Sequence, residues 1–268
     1  MTGDPAVRCT GLRQQFGDTV AVDGLDLEVR PGEVFGLLGP NGAGKTTTIR
    51  MITTLLPAPP GAIEIFGVDV ARRRSAVRRM LGYVPQQLSA DGTLSGRENV
   101  ALFARLFDVP RRERTAQVDA VLDAVDLLDV ADKQVKTYSG GMVRRLELAQ
   151  ALVSAPRVLV LDEPTVGLDP VARDGVWERI TAIREATGMT VLVTTHAMQE
   201  ADAECDRIAL MHRGRIRALG TPAELRGAIG PDATLDDVFR HHTGDTLADR
   251  SGGLRDVRAA RRTAGRLG

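Results

Sequence analysis

The sequence contains few of the residues that mark secretion or membrane insertion. Only two of its 268 residues are cysteines, Cys9 and Cys205, which are too few for a disulfide framework and are not spaced as metal ligands. No apolar run approaches the ~20 residues that a membrane-spanning helix requires. The first ten residues also lack the pattern of a signal peptide. We therefore expect a chain of a reducing, cytoplasmic compartment that does not itself insert into a membrane.

An excess of positive charge and a large aromatic content are also missing. Lysine plus arginine and aspartate plus glutamate each number 35, whereas a general nucleic-acid binder usually carries a basic excess. Aromatic residues make up 3% and apolar residues 43%, which predicts a sizeable, mostly aliphatic core. Nearly all cations are arginine, and lysine occurs only at positions 45, 133 and 136. The position of a lysine is therefore informative in this chain.

Short apolar runs alternate with helix-like patterns, which predicts an α/β fold. The runs at 32–40, 157–164 and 189–196 are almost continuously apolar, as buried parallel strands are, and we expect them to form the centre of a sheet. Residues 19–29 alternate with period two instead, which indicates a strand with one buried face.

A different region lies inside this α/β pattern, because residues about 87–155 read as all-helical. Ser95 and Glu98 form a capping-box pattern that begins a helix extending to about Phe107. A second helix is predicted by apolar residues at helical spacing, namely Val118, Val121, Leu122, Val125 and Leu128.

The end of the chain predicts a hairpin, a helix start and an extension. The hairpin would turn at Arg213 and Gly214, and the run TPAEL at 221–225 has the pattern of a capped helix start. Residues 230–268 change in composition, and from 249 onwards they carry six arginines against two aspartates. We expect a short Arg-rich extension without fixed structure there; a helix on an acidic membrane surface is the alternative.

The run GPNGAGKTT matches the phosphate-binding pattern G-x-x-x-x-G-K-[ST] and follows a predicted strand. Its glycines let successive N–H groups form a nest for an anion, and the following helix adds the positive end of its dipole. Lys45 would reach the β- and γ-phosphates of a nucleotide, and Thr46 would offer its hydroxyl to Mg²⁺. The residues expected to bind the nucleotide are Gly39, Pro40, Asn41, Gly42, Ala43, Gly44, Lys45, Thr46 and Thr47.

Acidic residues end the apolar run at 157–164, at the sheet edge where parallel α/β proteins bind ligands. Asp162 would hold Mg²⁺ directly or through water, and Glu163 would accept a proton from an attacking water. His196 ends the next central run and is therefore a candidate sensor of the γ-phosphate.

A second glycine motif, in TYSGGMVRRLELAQAL, has the form of a phosphate-binding helix start without a lysine. Ser139, Gly140 and Gly141 precede an apolar, helix-like run. The residues alone leave open why one chain carries a complete phosphate loop and an incomplete one.

Taken together, these motifs resemble the ATP-binding cassette of ABC transporters over about residues 6–226. They stand in the family's order, at Phe16, 39–47, Gln86, 139–141, 162–163, 167–170 and His196. The segment YSGGMVRRLELA and the ending GTPAEL…TLDDVF are similar to the branch of daunorubicin-resistance drug and antibiotic exporters. The resemblance implies a P-loop NTPase cassette at 1–229, with a mixed or parallel sheet core, an N-terminal antiparallel β-subdomain and the inserted helical subdomain.

The resemblance also implies roles for single residues. Phe16 matches the aromatic residue that stacks on adenine, and Asp169 matches an aspartate that crosses a dimer interface. Gln86 matches a glutamine that contacts Mg²⁺ or the attacking water, with Gln87 as the alternative. The implied catalytic residues are Glu163, His196, Gln86 and Lys45.

Two positions depart from the family's common Leu-Ser-Gly-Gly-Gln, because Tyr138 replaces the leucine and Met142 the glutamine. The hydroxyl of Ser139 and the N–H of Gly141 can still contact a phosphate. A ribose contact from a glutamine side chain is lost.

The implied activity is ATP hydrolysis with Mg²⁺ in a homodimer, where ATP lies between Lys45 of one chain and residues 139–141 of the other. A separate transmembrane permease would use it to export a drug, antibiotic or lipid-like compound, with this chain as a peripheral subunit at the cytoplasmic face of the cell membrane. An uptake transporter is the alternative within the family. Less favoured are a soluble cassette that acts on nucleic acid or ribosomes, because the chain has one copy and no sustained heptads, and a small-molecule kinase, which has no use for the second glycine motif.

Overall fold

Two β-sheets form the centre of the fold, and the computed structural model describes residues 4–244. The strands are β1 (Val7–Phe16), β2 (Thr19–Val29), β3 (Val34–Leu38), β4 (Ile63–Ile65), β5 (Val68–Asp69), β6 (Leu81–Val84), β7 (Val158–Asp162), β8 (Thr190–Thr195), β9 (Arg207–His212) and β10 (Arg215–Gly220). The helices are α1 (Lys45–Ile52), α2 (Arg74–Arg78), α3 (Gly96–Leu106), α4 (Arg114–Ala124), α5 (Gly140–Leu152), α6 (Pro170–Thr187), α7 (Met198–Glu204), α8 (Pro222–Gly227) and α9 (Leu235–Thr243). Short 3₁₀ helices span Leu128–Val130 and Val135–Thr137.

The larger sheet has six strands in the order β10-β9-β3-β8-β7-β6. Its neighbours from β9 to β6 are parallel, and β10 is antiparallel to β9. The three apolar runs that the sequence placed at the centre are β3, β8 and β7, which lie side by side. The smaller sheet, β2-β1-β4-β5, is antiparallel throughout. The predicted fold class, with a mixed sheet and an N-terminal antiparallel sheet, is confirmed.

The central strands are buried on both faces because each face packs on a separate core. In β7, Leu159 and Leu161 point into a core shared with helices α3 to α9, whereas Val158 and Val160 point into a core between the two sheets and α1. Burying one such side chain stabilises the folded state by roughly 1.5–3 kcal/mol. This is why these strands read as continuous apolar runs instead of alternating ones.

The chain between β6 and β7 forms α3, α4, α5, the two 3₁₀ helices and one isolated β-bridge. The predicted capping box of α3 is present, since Ser95 accepts from the N–H of Glu98 and Glu98 caps the N–H of Ser95. Helix α4 ends earlier than its apolar pattern predicts. Asp126 takes a left-handed conformation with φ of 57°, which ends an α-helix, so Leu128 begins a 3₁₀ helix instead of continuing α4.

The predicted hairpin and helix start are both confirmed near the end of the described chain. Strands β9 and β10 turn at Arg213 and Gly214. Helix α8 begins with a capping box between Thr221 and Glu224, and Pro222 occupies its first turn.

Helix α9 lies within residues 230–268, which the sequence predicts to be an extension without fixed structure. Thr234 caps it, and Leu235, Val238 and Phe239 bury their side chains in the core that α7 and the larger sheet also line. The Phe239 ring meets His212 of β9 edge to face, with ring centroids 5.9 Å apart. The pattern Thr-x-x-Asp followed by apolar residues at helical spacing was the signal for this helix. The domain limit at 229 stays a prediction, and the Arg-rich segment 249–268 lies outside the described residues.

Among residues 4–244, no helix combines the length and the hydropathy that crossing a bilayer requires.

We predict that Phe239→Ala destabilises the whole domain if α9 is part of it. The Phe239 side chain is 1% exposed, and truncating a buried phenylalanine costs about 3–5 kcal/mol. Urea unfolding followed by circular dichroism measures the loss, with Leu102→Ala as the control because Leu102 is 45% exposed. An equally small change in the free energy of unfolding for both variants would mean that α9 contributes little to the stability of the domain.

Candidate active site

The phosphate-binding pattern forms the turn between β3 and α1, and its glycines are required by close backbone contacts. Gly44 caps α1 with φ of 109°, and a Cβ there would lie 2.4 Å from the carbonyl oxygen of Ala21. Gly39 has φ of 156°, and a Cβ there would lie 2.2 Å from the carbonyl oxygen of Met211. Contacts this short exclude any side chain, so the loop lies directly against β2 and β9.

Lys45 is the first residue of α1 and brings a buried cation to this loop. Its ammonium donates to the carbonyl oxygens of Gly39 at 2.7 Å and Pro40 at 3.3 Å, and its side chain is 5% exposed. Burial lowers the pKa of Lys45, and the carboxylate of Glu163 opposes that shift. The first N–H groups of α1 lie at the same place and have no acceptor inside the helix. Together they form a site for an anion such as a nucleotide phosphate.

Glu163 is the point where the predicted catalytic side chains meet. One carboxylate oxygen, Oε1, lies 3.4 Å from Nζ of Lys45 and 3.3 Å from Nδ1 of His196. The other, Oε2, accepts from Nε2 of Gln86 at 2.9 Å. Gln86 therefore reaches the site, whereas no hydrogen bond from Gln87 to Glu163 is present in the described part of the chain. Glu163 is nearly buried at the end of β7 and has a left-handed backbone with φ of 50°, a conformation that costs a non-glycine residue energy and is concentrated at functional sites.

Thr194 holds the paired acids in place, and sequence reasoning missed it. Its hydroxyl donates to Oδ1 of Asp162 at 2.6 Å and accepts from the N–H of Glu163 at 3.1 Å. Burial raises the pKa of the Asp162 carboxyl, whereas the Thr194 hydrogen bond opposes the shift. The signal was a threonine inside a fully buried central strand, because a buried hydroxyl needs a polar partner.

The loop and Glu163 enclose a cavity of about 320 Å³. This volume lies in the range of small-molecule sites. Phe16 ends β1 opposite Thr19, which lines the cavity, and the Phe16 ring is 48% exposed. The full lining is Thr19, Val20, Ala21, Pro40, Asn41, Gly42, Ala43, Gly44, Lys45, Thr46, Thr47, Gln86 and Glu163.

The second glycine motif lies apart from this cavity and next to the predicted interface aspartate. Ser139 caps α5 by accepting from the N–H of Met142 at 3.2 Å, and Asp169 caps α6 by accepting from the N–H of Ala172 at 2.9 Å. A Cβ on Gly141 would lie 2.9 Å from Cβ of Ala172, so the two helix starts are in contact. None of the four residues Ser139, Gly140, Gly141 and Asp169 lines the cavity. Within one chain, the predicted nucleotide contacts therefore fall into two separate groups.

Tyr138 and Met142, the two residues of this motif that depart from the family's common pattern, both contact other parts of their own chain. The Tyr138 hydroxyl donates to the carbonyl oxygen of Val130 at 2.8 Å. A Cβ at Gly96 would lie 2.4 Å from that hydroxyl, so the tyrosine packs against the start of α3. Met142 is partly buried against the core that α5 shares with the other helices. Both side chains therefore pack within their own chain.

Comparison with known proteins gives the family. The family model described as "ABC transporter" matches residues 22–166. The chain is 46% identical over 237 residues to daunorubicin resistance ATP-binding protein DrrA3 of Streptomyces coeruleorubidus, which covers 88% of this chain and 74% of that protein. It is 43% identical over 222 residues to Nod factor export ATP-binding protein I of Paraburkholderia xenovorans, with 83% and 73% covered.

A solved structure supports the same conclusion. It is the dimeric post-hydrolysis state of the ATP-binding cassette MJ0796 bound to ADP and Pi, which matches with a TM-score of 0.71 and 25% identity. The match covers 80% of this chain and 98% of that one. The family model spans the phosphate loop and the acidic pair, and the relatives align over most of the chain. This chain therefore belongs to the ABC transporter family, as one of its ATP-binding subunits.

Proposed function

We propose that this chain hydrolyses ATP to drive the export of a drug, an antibiotic or a lipid-like compound through a separate membrane permease. The observation that carries the catalytic part is the meeting of Lys45, Gln86 and His196 on the Glu163 carboxylate, beside the phosphate loop. The export part is supported by relatives whose names refer to daunorubicin resistance and to Nod factor export.

Each side chain around Glu163 has a distinct task in this proposal. Lys45 and the amides of its loop hold the β- and γ-phosphates, and Phe16 stacks on the base. Glu163 accepts the proton of the attacking water, and Gln86 orients that water. His196 donates to the γ-phosphate as negative charge develops there. In this arrangement, charge stabilisation and proton transfer are handled by different residues.

The oxygen donors at this edge fit Mg²⁺. Thr46 offers a hydroxyl, Gln86 an amide oxygen and Asp162 a carboxylate, which are the hard ligands that this ion prefers. Asp162 is almost fully buried and accepts from Thr194, so a nearby cation would stabilise its charged form. When bound, Mg²⁺ would neutralise charge on the phosphate oxygens.

We also propose that two copies of this chain form each complete site. Residues 139–141 lie at the start of a 13-residue helix and do not line their own chain's cavity. A helix start with bare amides binds anions, so these residues can contact a phosphate held by the loop of a second copy. Asp169, beside them, would lie at the same interface. The incomplete glycine motif needs no lysine because Lys45 of the other copy supplies it.

The permease is proposed to dock beside α3. A groove of about 210 Å³ lies there, lined by Thr53, Leu55, Arg78, Leu81, Tyr83, Phe103, Phe107 and Ala151. Leu55, Leu102 and Leu106 are exposed apolar side chains of the same region, and such residues grouped together mark interaction surfaces. Docking here would hold the chain at the cytoplasmic face of the membrane as a peripheral subunit, close to the segment that carries Gln86.

We predict that Glu163→Gln abolishes hydrolysis while leaving ATP binding intact. Loss of the general base lowers kcat by about 100-fold to 10,000-fold, and the uncleaved ATP holds the two copies together. Phosphate release and size-exclusion chromatography with ATP measure the two effects. The matched control is Glu178→Gln, an exposed change on α6. Hydrolysis at the wild-type rate would show that Glu163 is not the base.

Mixed dimers test the shared site, using Lys45→Ala and Ser139→Arg. With one substitution on each chain, both defects fall on the same nucleotide, and we expect one ATP to remain bound per dimer. With both substitutions on one chain, each site carries one defect, and we expect ATP retention and hydrolysis to be lost. Equal retention in the two arrangements would contradict a site shared between copies.

The direction of transport is tested in inside-out vesicles that contain the chain and the membrane permease that co-purifies with it. Export predicts that ATP drives accumulation of an amphiphilic drug inside such vesicles, because their interior corresponds to the outside of the cell. Vesicles with Glu163→Gln are the control for passive entry. Accumulation only in right-side-out vesicles would instead indicate an uptake transporter.

A further inference from the structure

Helix α5 contains a buried ion pair that the proposed catalytic steps do not use. Arg144 and Glu147 lie one turn apart, each is 2% exposed, and Nη1 of Arg144 lies 2.9 Å from Oε2 of Glu147. A buried pair of this kind contributes little net stability, because removing two charges from water costs as much as their attraction returns. The position of the pair therefore calls for another explanation.

Both side chains bind the backbone of the segment that follows β6. Arg144 donates to the carbonyl oxygen of Pro85 at 2.7 Å and to that of Gln86 at 3.1 Å. Glu147 accepts from the N–H of Ser89 at 2.5 Å and from its hydroxyl at 3.1 Å. We refer to Arg144 and Glu147 as the clamp, since together they hold both ends of residues 85–89.

The protonation chemistry of the clamp agrees with this geometry. Burial lowers the pKa of Arg144 and raises the pKa of Glu147, and each partner's charge opposes the shift of the other. The Ser89 hydrogen bonds also favour the charged form of Glu147. The carboxylate oxygens each have a donor, and the guanidinium has three acceptors, so the pair is well satisfied although it is buried.

The clamp connects two parts of the candidate site that belong to different nucleotides. At its start, α5 presents residues 139–141, which the proposed function assigns to the ATP of the second copy. Less than two turns further on, Arg144 holds the carbonyl of Gln86, whose side chain reaches Glu163 at 2.9 Å in the chain's own cavity. A helix is a rigid rod over this length, so a displacement of its start moves Arg144 as well.

We propose that Arg144 and Glu147 are positioning residues that couple the two ATP sites of the dimer. Contact between residues 139–141 and one nucleotide fixes α5, and the clamp then sets Gln86 against Glu163 at the other nucleotide. The inference rests on the proposed dimer. It gives the dimer a physical link between its two sites. Gln86 of one chain is positioned for hydrolysis when residues 139–141 of the same chain contact the nucleotide at the other site.

Two clamp variants and one control test the link. Arg144→Met combined with Glu147→Met removes the contacts without leaving an unpaired buried charge. Arg144→Lys keeps the charge but loses the planar fork that reaches two carbonyls and a carboxylate together. The control is Arg145→Met on the same helix, because Arg145 binds Asp126 and the carbonyl of Val125 and does not touch residues 85–89.

We expect both clamp variants to lower kcat by about 10-fold to 100-fold, because displacement of a positioning group by about 1 Å has effects of this size. Their KM for ATP and melting temperature should stay close to those of the wild type, and the control should retain full activity. The Hill coefficient for ATP, expected above that of independent sites in the wild type, should fall to about 1 in the clamp variants. A wild-type kcat in the folded clamp variants, or a Hill coefficient that they leave unchanged, overturns the proposal.

A further measurement separates positioning from a purely structural role. In a Gln86→Ala background the clamp substitutions should cause no further loss of kcat, because the clamp acts through Gln86. A fully additive loss would overturn the assignment. Failure of the shared-site proposal is distinguishable, since it appears as equal ATP retention in the two mixed dimers, whatever the clamp variants do.

Discussion

The carboxylate of Glu163 is the group on which the arrangement of this protein depends. A nearly buried acid is stable there only because Lys45, Gln86 and His196 all contact it. These partners come from three different stretches of chain, and each stretch is placed by a strand of the larger sheet. The parallel order of β3, β8, β7 and β6 brings the ends of these strands, and with them Lys45, His196, Glu163 and Gln86, to one edge. The sheet therefore brings residues that are distant in the sequence together around one carboxylate.

The separation of the two glycine motifs follows from the same sheet. The phosphate loop follows β3 directly, whereas residues 139–141 begin a helix of the inserted region on the other core. No rearrangement of side chains within one chain brings the two motifs together, so the second motif is available to another molecule. A chain with one phosphate-loop lysine and two separate glycine-rich helix starts fits the proposal that two copies form each complete site.

Much of the fold could be predicted from the sequence because its signals lie in short stretches of chain. Continuous apolar runs gave the central strands, and capping boxes gave the starts of α3 and α8. Other features were harder to predict because they also depend on tertiary contacts. Asp126 ends α4 through a left-handed backbone, and α9 is retained by the packing of Phe239 on the core. At the site, the residue types of Lys45 and Glu163 pointed to their chemistry, but the support from Thr194 and Arg144 becomes visible only when strands and helices are placed side by side.

The close contacts of Gly39 and Gly44 have a mechanical consequence. These glycines press the phosphate loop against the backbones of Met211 and Ala21, and the carbonyl of Ala43 also accepts from the N–H of Gly214 at 2.8 Å. The loop is thus tied by backbone contacts to the hairpin and to the smaller sheet. Residues 85–89 are instead held through side chains, by Arg144 and Glu147 of α5 and by the contact of Gln86 with Glu163. One wall of the cavity is consequently held by backbone contacts with the sheets and the other by side chains, so substitutions can loosen the second wall without altering the first.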